Sequence, residues 1–388
     1  MAGGEPVAVY VHVPWCRHVC PYCDFNVYVA RKHRPAEEVD VATLRREAAA
    51  WGAQPEWSGR PAKSVYLGGG TPSLLSPGAV AAVVDGIRAA LGILSGAEIT
   101  LEANPGTLDA ARMRGYRHAG VTRLSLGVQS LDARVLRTLG RDHRAGDVHA
   151  AVAAARDAGL DNVSGDLMYA VPGQTLADVS ADVDALLALG LPHVSVYALT
   201  WEAGTPFARW RRGGRLVAVD EDLEVAMGDL IAHRLEAAGL ARYEIASFAR
   251  PGFASRHNGA YWDGSDYLGL GPGAHGFCAA PAPGRRWANV RDPAVHRAAV
   301  AATGTAVGDD APLTAARARA DFVWTGLRRV GDGVDPAHFA ARFGVALDDA
   351  FPQIAALEAD GLLERTPGRI RLTARGLRFA DGVAAAIV

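Results

Sequence analysis

Three cysteines, Cys16, Cys20 and Cys23, fall within eight residues of this chain at C-x3-C-x2-C spacing, in the stretch Cys16-Arg17-His18-Val19-Cys20-Pro21-Tyr22-Cys23, with Asp24-Phe25-Asn26 directly behind it. Thiolates this close can converge on one inorganic centre. A disulfide would pair two and strand the third. A structural zinc asks for four nitrogen or sulfur ligands, and no second Cys or His pair stands at finger spacing downstream. A [4Fe–4S] cluster ordinarily takes four cysteines, so three leave one iron open to a non-protein ligand. A chance cluster, or a zinc site completed from far along the chain, are the competing readings.

The elements that must position these thiols can be read from pattern. The apolar run Val7-Ala8-Val9-Tyr10-Val11-His12-Val13 reads as a buried strand. Pro14 stops it, so the cysteines fall in the following loop, at the strand end where α/β proteins keep their chemistry. Further strands are expected at 63–67, 98–105, 121–128, 162–168 and 193–199, alternating with helices near 35–53, 77–91, 107–118, 133–139, 145–158 and 172–190. Thr107 or Asp109 is expected to cap the third of these helices. Six strands alternating with helices predict an α/β fold, a curved, partial (β/α)6 barrel. Polar residues gather at its strand ends: the cysteines, Gly69 to Thr71, Glu102, Gln129 and Asp166.

Gly68-Gly69-Gly70-Thr71-Pro72 follows a strand and precedes a helix, so its backbone can approach a ligand closely. It lacks the lysine of a phosphate-binding loop. His257-Asn258 and Tyr261-Trp262 form an aromatic knot in a loop-rich segment. Imidazole beside flat rings suits a planar macrocycle or a haem iron, and a structural plug is the alternative. Residues 304–312 read as a linker. The remainder reads as helices and then a short hairpin, a winged-helix-like module. The expected units are 1–214, a barrel; 215–303, an α+β extension; and 304–388, the C-terminal module.

Composition constrains the function classes. The chain has 388 residues, a formal net charge of -2 and four cysteines, of which Cys278 stands alone. That argues against a disulfide framework and for a reducing compartment. The arginines of the C-terminal region (Arg317, Arg319, Arg328, Arg329, Arg369, Arg371) are interspersed with Asp and Glu, so no basic stripe for nucleic acid is expected. Met1 to Pro6 shows no basic segment followed by an apolar one, and the apolar runs fall short of a membrane span. A soluble cytoplasmic protein is expected.

The cysteine spacing, with aromatic Tyr22 before the third cysteine, resembles the signature of the radical S-adenosylmethionine (SAM) superfamily. Further motifs narrow the resemblance: Tyr10-x-His12-x-Pro14-x-Cys16, Cys20-Pro21-Tyr22-Cys23-Asp24-Phe25, Gly68 to Ser73, Glu102-Ala103-Asn104-Pro105-Gly106-Thr107, Ser125 to Ser130, Asp166-Leu167-Met168, Pro172 to Thr175 and His257-Asn258-x-x-Tyr261-Trp262. Together they look like the oxygen-independent coproporphyrinogen III oxidase-like family, and within it the haem-chaperone (HemW) group. The resemblance implies cluster ligation by Cys16, Cys20 and Cys23. It implies a SAM site lined by Tyr10, Tyr22, Gly69, Gly70, Thr71, Glu102, Gln129, Arg141 and Asp166, with Ala198 a looser match. SAM carries an ammonium, a carboxylate and ribose hydroxyls, and this set supplies acceptors and a cation. His257, Asn258, Tyr261 and Trp262 become the candidates for touching haem.

Two departures from the dehydrogenase pattern favour the chaperone group: Phe25 replaces a fourth cysteine, and the chain starts almost directly at the first strand. The HNxxYW motif points the same way. The implied function is to bind cluster, SAM and haem and to deliver haem to respiratory proteins, with an electron donor needed if SAM is consumed. The alternative is an enzyme that cleaves SAM reductively to a radical. Its substrate would be coproporphyrinogen III, whose propionates become vinyl groups. A further alternative is radical methylation or cyclopropanation of a small molecule.

Overall fold

A computed structural model describes residues 4–388. The signal-peptide reading rests in part on Met1 to Gly3, outside the described residues. Strands β1 (Val7–Val13), β2 (Ala62–Gly69), β3 (Ile93–Ala103), β4 (Arg123–Gln129), β5 (Val163–Tyr169) and β6 (His193–Ala198) lie side by side in chain order, all parallel. They alternate with helices, among them Glu37–Gly52, Pro77–Ala90, Ala110–His118, Ala145–Asp157 and Leu176–Ala188. Both faces of such a sheet are covered, so its strands are apolar nearly throughout; Val7, Val9, Val11 and Val13 are all buried. Asp109, not Thr107, caps the helix Ala110–His118 by accepting from Arg112 N at 2.8 Å. This is the expected partial βα barrel.

The sheet continues beyond these six strands. β7 (Ala241–Glu244) and β8 (Ser247–Ala249) add antiparallel beyond β6. On the other side β9 (Tyr267–Leu270) pairs parallel with β1, Ala8 opposite Tyr267. β10 (His275–Cys278), β11 (Arg285–Asn289) and β12 (Val307–Pro312) follow antiparallel. The order across the sheet is β12-β11-β10-β9-β1-β2-β3-β4-β5-β6-β8-β7, an open arrangement of twelve strands. The segment expected to be a linker, 304–312, is therefore largely an edge strand. Its sequence hides this because the strand is exposed along almost its whole length, so no apolar alternation marks it. One hydrophobic core runs from Val7 through Phe248 and Leu268 to Trp287.

The C-terminal module has its own core. Helices Ala315–Leu327, Pro336–Phe343 and Gln353–Ala359 and the hairpin β13 (Leu363–Thr366)–β14 (Arg369–Leu372) pack around Phe339, Ile354, Leu363 and Ile370. Among the described residues no helix is long and apolar enough to cross a membrane.

Candidate functional site

The carboxyl ends of β1 to β6 open on one cavity of about 420 Å³. Every cluster and cofactor residue expected from the sequence lines it except Tyr10. Tyr10 lies below, stacked on Tyr66 with ring centroids 6.1 Å apart and hydrogen-bonded to His12 Nδ1 at 3.0 Å.

The cysteine loop is fixed from both sides. A short parallel ladder pairs Trp15–Cys16 with Tyr28–Val29. Phe207 N donates to Pro21 O at 3.0 Å, and the Phe207 ring meets Tyr22 edge-on at 6.1 Å. His18 Nε2 bonds Gly140 O at 2.8 Å. The glycine run packs against the same loop: a Cβ on Gly70 would fall 2.8 Å from Trp15 O, and one on Gly69 2.4 Å from His12 Cε1. Gly69 also has a φ of 110°, which disfavours any side chain there. The glycines thus let the β2 end close on the cysteine loop.

The three thiols differ. Burial pushes Cys16 up and Cys23 up to about 11. Burial acts on Cys20 in the same sense, but His18 and Arg141 outweigh it and bring its thiol below the ordinary value. Arg141 places Nη1 3.6 Å from Cys20 Sγ, and Thr71 Oγ1 lies 3.5 Å from Cys16 Sγ. No three His, Cys, Asp or Glu side chains among the described residues converge as a single metal ion needs. A cubane asks for another arrangement: each thiolate binds a different iron, so the sulfurs stand around a cage. Three cysteines on one cavity wall, beside a cation, suit that demand.

The opposite wall suits SAM. Arg141 is half-buried, pairs with no carboxylate among the described residues, and its buried Nε lacks a hydrogen-bond partner, so it can offer a cation to an incoming carboxylate. Glu102 accepts from Tyr66 Oη at 2.7 Å and Gly69 N at 2.9 Å, and burial raises its pKa. Asp166, within reach of Ser125 Oγ at 3.4 Å, is pushed up to about 7 by burial and by the Glu102 charge. Gln129 sits at a break in the β4–β5 register with a φ of 62°. Such irregularities re-aim a side chain, and Gln129 lines the cavity. His18 and Tyr66 had no role assigned from sequence. The position of His18 between the first two cysteines was the available signal for it. Nothing in the sequence marks Tyr66.

The HNxxYW residues lie elsewhere. His257 is buried on the helix Arg256–Trp262, with Nδ1 3.0 Å from Ser64 Oγ and Nε2 2.9 Å from Tyr261 Oη. Both ring nitrogens are engaged. Asn258 and Trp262 donate to the two oxygens of Glu244. The motif lies at the amino ends of the strands, away from the cluster cavity, with His257 tied to Ser64 and Tyr261.

With this geometry in hand, the relationship to known proteins is clear. The radical SAM superfamily model matches residues 10–186, and the HemN C-terminal domain model matches 314–379. Among solved structures, coproporphyrinogen III oxidase (HemN) from Escherichia coli superposes with a TM-score of 0.83 at 22% identity, over 98% of this chain and 90% of that one. That likeness shows the fold. The heme chaperone HemW of Mycobacterium tuberculosis is 38% identical over 98% of this chain and 94% of its own length. The HemW of Bacillus subtilis is 34% identical over 97% of both chains. The chain belongs to the radical SAM superfamily and, within it, to the HemW family. Membership implies a [4Fe–4S] cluster and SAM.

Proposed function

We propose that this protein is a haem chaperone of the cytoplasm, which binds a [4Fe–4S] cluster, SAM and haem and hands haem to respiratory proteins. The observation that carries the reading is the near-full-length similarity to proteins named heme chaperone HemW. The site is consistent with it. Cys16, Cys20 and Cys23 would hold the cluster; Arg141 would meet the SAM carboxylate, Glu102 and the Gly69–Thr71 backbone its ammonium, and Asp166 its ribose. Gln129, Tyr22 and Ala198 would complete the wall around it. When bound, the cluster supplies one electron at a time and an iron open to SAM; if SAM is consumed, a protein electron donor is required.

Phe25 supports the chaperone over the dehydrogenase. It lines the cavity, is 65% exposed, and offers no thiol. The test uses full-length protein reconstituted anaerobically with iron and sulfide. Haem is titrated into one sample; SAM, a strong reductant and coproporphyrinogen III are added to another. Stoichiometric haem binding without a vinyl product supports the chaperone. Porphyrinogen-dependent 5′-deoxyadenosine with vinyl product would make the protein a dehydrogenase. Deoxyadenosine with neither haem binding nor vinyl product would point to small-molecule chemistry.

A further inference from the structure

The end of β4 is built under strain. From Leu126 to Gln129 this strand takes three steps while its neighbour β5 takes two, from Gly165 to Leu167; the extra residue makes a bulge. Gln129 itself has a φ of 62°, and the Ser130 N–H closes on Val128 O, two residues back, at 2.8 Å. A three-residue turn with its central residue in the left-handed region is rare and strained, and a residue with a side chain keeps it only where its surroundings impose it. The turn brings the Gln129 amide beside the Arg141 guanidinium: a Cβ on Gly127 would lie 3.1 Å from Gln129 Nε2 and 3.2 Å from Arg141 Nη2. Both side chains line the cluster cavity.

What imposes the turn lies behind the cavity wall. Ser130 is fully buried, and its Oγ donates to Asp182 Oδ2 at 2.6 Å. Asp182, on the helix Leu176–Ala188, is buried as well and pairs with no cation among the described residues. Its other oxygen accepts from Leu131 N at 2.7 Å and Asp132 N at 3.2 Å. Burial raises the pKa of this carboxyl, and the donors around it offset the loss of solvent. Asp132 then caps the helix Ala133–Thr138, accepting from Arg134 N at 2.7 Å and Val135 N at 2.9 Å. The chain leaves that helix into Arg141, whose N–H returns to Leu136 O at 2.9 Å. One loop and helix thus carry Gln129 at their start and Arg141 at their end, and Asp182 anchors them. Neither Ser130 nor Asp182 lines the cavity.

We propose that Ser130 and Asp182 are positioning residues for SAM: they hold Gln129 in its left-handed turn and so keep its amide beside Arg141, where the cofactor meets both. The assignment rests on the SAM site proposed above and gives it a support outside the cavity. Released from Ser130, Gln129 would relax towards an ordinary backbone conformation and its amide would leave Arg141. SAM affinity would fall. The cysteine loop has ties of its own, to Tyr28, Val29 and Phe207, and would keep its iron.

The test is a calorimetric SAM titration of full-length protein reconstituted with iron and sulfide, with iron analysis alongside. Ser130→Ala is expected to weaken SAM about tenfold at wild-type iron content. Gln129→Gly accepts the left-handed turn without strain but brings no amide, so on that background Ser130→Ala should weaken SAM no further. Asp182→Asn keeps the shape of the buried side chain. In that variant, without SAM, the amide of Ser130 that closes the turn should exchange with solvent markedly faster than in the wild type. An equal loss of affinity on both backgrounds, wild-type affinity in Ser130→Ala, or unchanged exchange at Ser130 would overturn the positioning role and leave the SAM site standing. No SAM binding by the wild type would overturn both.

Discussion

Arg141 holds one guanidinium nitrogen 3.6 Å from Cys20 Sγ and another 3.1 Å from the Gly127 carbonyl, while its buried Nε is left without a partner. One cation therefore serves two neighbours in the cavity, a thiolate on one side and whatever anion fills the space on the other. Arg141→Ala is expected to lower SAM affinity by about 10- to 100-fold, the scale of a lost charge-assisted hydrogen bond, with iron content retained. Calorimetric titration of reconstituted protein, with iron analysis alongside, measures both. Iron lost together with SAM affinity would place the residue's role at the cluster instead.

Asp166 titrates against stability. Its folded carboxyl keeps a proton up to about pH 7, whereas an unfolded one gives it up near 3.9. Between those values the folded chain binds more protons, so this residue's contribution to stability falls as pH rises. Asp166→Asn should stabilise the ligand-free protein by about 1–3 kcal/mol at pH 8, with the gain vanishing near pH 4, and should weaken SAM binding. Urea unfolding at the two pH values checks the first, calorimetry the second.

His257 behaves in the opposite sense. Burial lowers its ring to about 3, so the folded ring stays neutral while the unfolded one takes a proton below about 6.5. Its contribution is fully present above pH 6.5 and fades as pH falls towards 3. His257→Ala removes a buried ring and orphans Ser64 and Tyr261, at a cost of about 2–4 kcal/mol. Unfolding curves should separate widely at pH 7.5 and draw together at pH 5. A gap that does not narrow would mean the ring is already protonated or exposed in the fold.

Glu47, on the helix Glu37–Gly52, is fully buried and accepts from Gly271 N at 2.8 Å, Asn289 Nδ2 at 2.6 Å and His296 Nε2 at 3.1 Å. It ties this helix to the end of β9, to β11 and to the helix Pro293–Thr303, across more than two hundred residues of sequence. Glu47→Ala leaves three buried donors unmet and should destabilise the chain by about 3–5 kcal/mol. The amide of Gly271 should then exchange with solvent markedly faster. Unchanged exchange there would show that the loop is held by other contacts.

Much of the site was legible because its signals are local. Cys16, Cys20 and Cys23 stand at a spacing that resembles a cluster-binding signature, and the hydrophobic period of each βα unit places Glu102, Gln129 and Asp166 at strand ends. The same logic failed for segment 304–312, where an exposed edge strand has no period to read. It also gave no sign that Trp15 and His12 pack against the glycine run, because the fold brings them there.

The sequence by itself determined the order of the six βα units, the ligand loop and the family, since periodicity and motif spacing all lie within a few tens of residues. Tertiary structure alone decided the rest. Ala8 pairs with Tyr267, Tyr10 lies under the cavity floor, and His257 spends both ring nitrogens on Ser64 and Tyr261. Whether a polar group in this chain is a tie or a site depends on which distant side chains reach it. Long-range packing settles that, and no local pattern encodes it.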